Sequence, residues 1–321
     1  MSIDTAEKDA PRLDPAKFHD PEITADGSTR ASVALKELET LWFNTGTLCN
    51  LTCINCYIES SPTNDRLAYI TAAEVRVYLD EILRDGWATR EIGITGGEPF
   101  MNPEIIDIIE ASLSRGFEVL VLTNGMRPMM KLQDGLLRLN ETYGQRLKIR
   151  VSIDHYTPAL HELERGEHSW DRTLPGLKWL SEHGFHINVA GRTLWAESED
   201  TLRAGYAKLF AAEEIHVNAD DHGALVLFPE MDETIDVPEI TTACWDILGV
   251  NPDDVMCATS RMVVKCKGAD RPVVLPCTLL PYDERFEMGE SLADATDAIP
   301  LNHPHCAKFC VLGGGSCSVA D

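Results

Sequence analysis

Cys49-Asn-Leu-Thr-Cys53-Ile-Asn-Cys56-Tyr57 places three thiols in one short stretch. Three thiolates at this spacing can wrap one soft metal centre. They are one ligand short of a closed structural zinc site and one short of the four that a cubane needs. An iron held this way keeps an open coordination position, which suits catalysis. Spacing alone also allows a zinc site completed from elsewhere, or ordinary buried cysteines. A second group is Thr95-Gly96-Gly97-Glu98-Pro99. Its glycines let backbone approach a ligand closely. Glu98 supplies a carboxylate and Pro99 removes a competing donor. Alone, this run reads more readily as a simple turn than as a binding loop. A third group comprises Cys244, Cys257, Cys266, Cys277, Cys306, Cys310 and Cys317. No cysteine lies between Cys56 and Cys244, so the thiols fall into two regions. Without a secretion signal they point to metal or redox chemistry rather than disulfides.

The elements around these groups set their positions. Short β-type runs at Leu41–Thr45, Glu91–Thr95, Glu118–Thr123, Lys148–Ile153, His186–Ala190 and Ile215–Asn218 alternate with amphipathic helices. Thr71-Ala-Ala-Glu74 reads as a capping box ahead of Val75, Tyr78, Leu79, Ile82 and Leu83, closed by Gly86. The next helix is expected to take Asn102 as cap and Pro103 at its first position, to bury Ile105, Ile106, Ile109 and Leu113, and to stop at Gly116. Such alternation predicts an α/β fold with a parallel sheet and right-handed crossovers. Six units predict a partial (β/α)6 TIM-type barrel over residues 39–228, with an open doubly wound sheet as the alternative. The cysteine triad follows the first strand and the glycine run the second, so both lie at C-terminal strand ends, the functional face of such barrels. Asn124, Ser152, Asp154 and Arg192 occupy the same place after the third, fourth and fifth strands. Each also has a bland reading as a turn, cap or solvated side chain.

Residues 1–38 are acidic and proline-bearing, and read as an extension that is loosely docked. Residues 229–321 lose the alternation and form a small, irregular, cysteine-rich extension of the kind that often needs metal to fold.

A net charge of -24 over 321 residues repels phosphate backbones, so large nucleic acids are not expected as substrates, while a local basic pocket stays open. No apolar run approaches the ~20 residues of a spanning helix. The polar start carries no secretion signal, and a cytoplasmic location is expected.

Together, Cys49-x3-Cys53-x2-Cys56 and the later Gly96-Gly97-Glu98-Pro99 resemble the radical S-adenosylmethionine superfamily over residues 40–228. The resemblance implies a 4Fe–4S cluster on Cys49, Cys53 and Cys56. Its fourth iron would chelate the amino and carboxylate groups of S-adenosylmethionine. One electron would cleave the sulfonium to methionine and a 5′-deoxyadenosyl radical, which takes a hydrogen atom from the substrate. Gly96, Gly97 and Glu98 would serve the methionine amino group, and Ser152 or Asp154 its carboxylate or the ribose. Tyr57 and Arg192 would lie near the adenine. Asn55 departs from the family's aromatic residue before the last cysteine.

The C-terminal cysteines resemble the SPASM/Twitch extensions of these enzymes, which bind auxiliary 4Fe–4S clusters. Pro272 replaces an expected glycine, Gly313 an expected cysteine, and the 306–310 spacing is one residue long. One auxiliary cluster is therefore expected on Cys277, Cys306, Cys310 and Cys317, with Cys257 as the substitute ligand. Cys244 and Cys266 fit the pattern least. His303 and His305 flank Cys306, and His155 and Tyr156 follow Asp154; these four are further candidates for ligation and substrate contact.

The expected function is hydrogen abstraction from a peptide or small metabolite, with flavodoxin or ferredoxin as reducing partner. No leader-peptide-binding or cobalamin-binding segment is evident. The alternatives are a zinc-binding structural or interaction protein, and an iron–sulfur electron carrier without its own substrate.

Overall fold

The computed structural model describes residues 11–229 and 232–314. Its centre is an eight-stranded sheet. Five strands stand where periodicity places them: β2 (Thr40–Asn44), β3 (Glu91–Thr95), β4 (Glu118–Thr123), β5 (Leu147–Ser152) and β6 (His186–Arg192). A two-residue strand, β1 (Ser32–Val33), precedes them. The sixth parallel strand is β7, Leu225–Phe228, and not the expected Ile215–Asn218. A turn at 218–224 separates the two runs. Asn188 donates to the Gly223 carbonyl at 2.6 Å, and Arg203 donates to the carbonyls of Ala219 and Leu225. These bonds deliver the more apolar run to the sheet edge.

The six strands from β2 to β7 are parallel and ordered β7-β6-β5-β4-β3-β2. A doubly wound sheet reverses its strand order, whereas this order runs one way. The architecture is therefore the partial barrel. The sheet then continues into the C-terminal region, where no strand is expected from the periodicity. β8 (Ser260–Val264) pairs parallel with β2, and β9 (Val273–Leu275) pairs antiparallel with β8. Leu41 and Phe43 on β2 face the helices, while Trp42 belongs to the other core, with Leu120, Met262, Cys257, Cys277 and Cys306. Period-2 alternation thus turns one face to the helices and the other to the cysteine-rich region. Gly93 makes room for Trp42: a Cβ there would meet the indole at 2.3 Å.

The first helix, α1 (Ala72–Asp85), has the expected capping box, with Thr71 and Glu74 bonded reciprocally, and ends at Gly86 in the left-handed region. Val75, Tyr78, Leu79 and Ile82 are buried, but Leu83 is 54% exposed, because it falls beyond the inward stripe. The second helix, α2 (Ile105–Ser114), begins two residues later than expected, with Glu104 as cap. Asn102 is buried instead. Its amide donates to Thr45 and Ile70 carbonyls, so it ties this loop to the first strand's end.

Residues 11–38 are not a loose tail in the described part. Phe18, Ala31 and Val33 enter the C-terminal core. Glu239 accepts from Phe18 N–H, Ala25 N–H and Arg30 Nη2, a buried pairing that straps this segment down. β1 pairs with β10 (Ile299–Pro300). No helix among the described residues is long and apolar enough to cross a membrane.

Candidate active site

The cysteine loop and the glycine loop are zipped together by backbone. Thr45 N–H donates to Thr95 O (2.8 Å), Gly97 N–H to Gly46 O (2.8 Å), and Glu98 N–H to Leu48 O (3.1 Å). Only glycine fits this contact. Gly96 has φ +143°, and a Cβ at Gly97 would meet the Leu48 carbonyl at 2.2 Å. The thiols receive donors from their own loop. Leu51 N–H points at Cys49 Sγ and Ser60 N–H at Cys56 Sγ, each at 3.4 Å. Burial pushes the Cys49 thiol up to about 12, and Glu98, Cys53 and Cys56 add repulsion. Apo Cys49 is therefore protonated, and metal binding there must expel its proton.

A cavity of about 170 Å³ adjoins this loop, lined by Cys49, Cys53, Cys56, Tyr57, Gly96, Gly97, Asn124, Ser152, Asp154 and Arg192. Ten sequence candidates thus meet in one cavity. Its floor is the inner face of the sheet. Leu122 opposes Arg150, Ser152 opposes Ala190, and Arg192 opposes Phe228 in register, and all six line the space.

Glu98 and Pro99 do not line it. Pro99 is buried and opens a single 3-10 turn, Pro99–Met101. The Glu98 carboxylate accepts from Thr123 Oγ1 (2.8 Å), Asn124 N–H (2.8 Å) and Phe100 N–H (3.1 Å). Burial raises it to about 7 against these bonds. Its place in the structure is behind the wall, joining the second and third strand ends.

Arg165 escaped the sequence reading. It ends the helix Pro158–Arg165, far in sequence from the triad, and no motif marks it. Its guanidinium donates twice to Asp154, at 2.7 and 2.9 Å. Burial alone would raise the Asp154 carboxyl, but Arg165 overrides it and holds it below its ordinary value. The same helix end holds the cysteine loop: Ile54 N–H donates to Glu164 O, and the Asn55 amide donates to both Glu164 carboxylate oxygens. Asn55 thus has its own local partner where the family carries an aromatic. A cation at a helix C-terminus is the one signal that could have singled out Arg165, and it is a weak one.

His155 and Tyr156 do not face the cavity. His155 Nε2 lies 2.6 Å from Glu197, and the Tyr156 hydroxyl donates to Glu197 at 2.8 Å.

A second, smaller space lies in the C-terminal region. Cys257, Cys277, Cys306 and Cys310 line it, with His305. Cys306 and Cys310 share a π-helix, Cys306–Val311; at about 4.4 residues per turn, four residues apart is one face. Cys257 lies just before β8, which the first strand fixes. Burial pushes Cys257 up to about 11 and Cys306 up to about 12. The buried Arg261 donates to the Cys257 and Ser260 carbonyls and puts a positive charge beside Cys257 and Cys277. Cys317 lies outside the described residues. Cys244 and Cys266 do not line this space.

Two ligands of a single zinc ion lie at most about 4.6 Å apart, twice the ~2.3 Å Zn–S bond. Among the described residues, the one trio of candidate ligands whose atoms all fall within 4.8 Å is Glu233, His303 and His305. Neither cysteine group is drawn that tight among the described residues.

The chain is 34% identical over 143 residues to the antilisterial bacteriocin subtilosin biosynthesis protein AlbA of Bacillus subtilis, covering 44% of this chain and 30% of AlbA. It is 29% identical over 174 residues to the AdoMet-dependent heme synthase of Methanosarcina barkeri, covering 53% and 47%. The matches thus span less than half the length of these curated relatives. Streptococcus suis SuiB bound to its precursor peptide SuiA shares the fold, with a TM-score of 0.60 at 12% identity, over 82% of this chain and 66% of that one. The Radical SAM superfamily model matches residues 43–203, half of the chain, and the chain belongs to that superfamily.

Proposed function

We propose that this radical S-adenosylmethionine enzyme holds a 4Fe–4S cluster on Cys49, Cys53 and Cys56, binds S-adenosylmethionine in the adjoining cavity, and takes a hydrogen atom from a peptide. An auxiliary 4Fe–4S cluster sits on Cys257, Cys277, Cys306 and Cys310. The observation that carries this reading is the pair of cysteine-lined spaces, one incomplete in ligands and open to a glycine loop, the other complete and closed in by apolar side chains.

When bound, the first cluster supplies one electron to the sulfonium of S-adenosylmethionine, which yields methionine and a 5′-deoxyadenosyl radical. The chain's residues position and shield. The Gly97 and Glu98 N–H groups are used by the cysteine loop, and an ammonium needs acceptors, so carbonyl oxygens of the glycine loop serve the methionine amino group. Arg165, fixed by Asp154, offers a planar guanidinium to the methionine carboxylate. Asp154 is then a positioning residue. Leu122, Phe228 and Tyr57 bring apolar surface that excludes water.

A peptide substrate is favoured by the bacteriocin-biosynthesis relative and by the SuiB–SuiA fold match. The heme synthase relative favours a small metabolite as the second reading. Anaerobic incubation of reconstituted protein with dithionite and S-adenosylmethionine tests the proposal. It predicts 5′-deoxyadenosine and about eight irons per chain, four for each cluster. No 5′-deoxyadenosine, or zinc in place of iron, overturns it.

A further inference from the structure

Glu233, His303 and His305 take no part in the chemistry above, yet one potential ligand atom from each falls within 4.8 Å of the other two. His303 Nε2 lies 3.5 Å, and His305 Nε2 3.8 Å, from the same Glu233 oxygen, Oε2. Both separations exceed the ~2.7–3.2 Å of a hydrogen bond. They approach the spacing of two ligands across one ion, since bonds of ~2.0–2.2 Å at tetrahedral angles put ligand atoms about 3.4 Å apart. His305 is buried, and its Nδ1 has no hydrogen-bond partner among the described residues. Its burial is therefore not explained by hydrogen bonding, as that of most buried polar side chains is. The His305 N–H donates to His303 Nδ1 at 3.1 Å, which leaves Nε2 as the nitrogen turned to Glu233. Metal on Nε2 puts the ring proton on Nδ1, so loading exchanges this one neutral hydrogen bond for a metal–nitrogen bond. The turn that bears Glu233 is already docked on this segment, because Lys308 Nζ donates to the Asp232 carbonyl at 3.4 Å.

We infer that Glu233, His303 and His305 bind one divalent ion of the zinc class, apart from both cysteine sites. Two imidazoles and a carboxylate form a nitrogen and oxygen ligand set that suits such an ion, whereas the thiolates suit soft iron–sulfur chemistry. Three protein ligands leave a fourth position for water, and Glu233 is exposed, so that position opens to solvent. The ion clips the turn at 232–233, which follows the last strand of the barrel, to the segment that carries Cys306 and Cys310.

The test uses the full chain after iron–sulfur reconstitution and removal of loose metal by a chelator, with zinc alone as the probe. Wild-type protein should take up about one zinc per chain, and X-ray absorption at the zinc edge should show nitrogen and oxygen neighbours at ~2.0–2.2 Å without sulfur at ~2.3 Å. This arm needs no variant, and because it is read at the zinc edge it does not depend on the iron content. Glu233→Gln removes a charged ligand from an exposed side chain, and His303→Gln removes an imidazole. Each should weaken zinc binding about a hundredfold or more, since loss of a partner that merely orients a ligand already costs ten- to a hundredfold. No bound zinc, a shell of sulfur alone, or zinc binding at wild-type strength in either variant overturns the site.

Discussion

Both carboxylate oxygens of Asp154 grip Arg165, at 2.7 and 2.9 Å, and so tie the end of the fourth parallel strand to the helix that holds the cysteine loop. Removing one partner of such a buried pair strands the other, at a cost of about 3–5 kcal/mol. Asp154→Asn should therefore unfold at distinctly lower denaturant. Arg165→Lys keeps a charge for Asp154 but loses the planar fork. It should stay folded and raise the KM for S-adenosylmethionine about tenfold or more, with iron content unchanged. Equal KM in the lysine variant and wild type would remove Arg165 from carboxylate binding.

The auxiliary ligand set yields a sharper count. Cys257→Ala removes a thiolate from the closed C-terminal space, and iron should fall from about eight to about four per chain. Cys317→Ala should leave about eight. The reverse pattern would return Cys317 to the set and expel Cys257. In either case 5′-deoxyadenosine formation without substrate should survive, because the triad is untouched.

Local spacing was legible in the sequence, and long-range pairing was not. The triad and the glycine run were legible because local spacing fixes their geometry. Their shared face followed from strand order. Cys257 depends on long-range pairing: β8 (Ser260–Val264) joins β2 and carries the preceding residues under the barrel's inner face. Prolines and glycines around this short strand hid it. Arg165 was hidden for the same reason, since its relation to the triad is tertiary. Glu98 was placed on the right loop but on the wrong side of it, because a motif does not say which way a side chain turns. Residues 11–38 looked unstructured because their partners, such as Glu239, lie some two hundred positions away.

Glu98 predicts a pH dependence. Its folded value of about 7 lies above the ordinary carboxylate value of 4.5. The folded chain therefore holds a proton that the unfolded chain releases between these values. Stability is full below about 4.5 and is lost as pH rises through about 7. Glu98→Gln carries no titrating proton and loses one acceptor for the Phe100 N–H. It should be less stable than wild type at pH 5, with the gap narrowing by pH 8. Denaturant midpoints at the two values check this; a gap that widens would contradict the sign.

Arg261 is fully buried beside Cys257 and Cys277, and its guanidinium puts a positive charge beside the proposed auxiliary cluster. A reduced cluster carries one more negative charge than an oxidised one. In a low-dielectric interior a neighbouring cation favours the reduced form, since Coulomb energies there exceed those in water several-fold. Burial of four thiolates makes the same demand in the resting state. Arg261→Gln keeps donors for the Cys257 and Ala295 carbonyls while removing the charge. The auxiliary midpoint potential should move to more negative values, and the triad cluster's potential should hold still. An anaerobic redox titration followed by electron paramagnetic resonance separates the two. A shift confined to the triad cluster, or none at either, would show that Arg261 serves the fold alone.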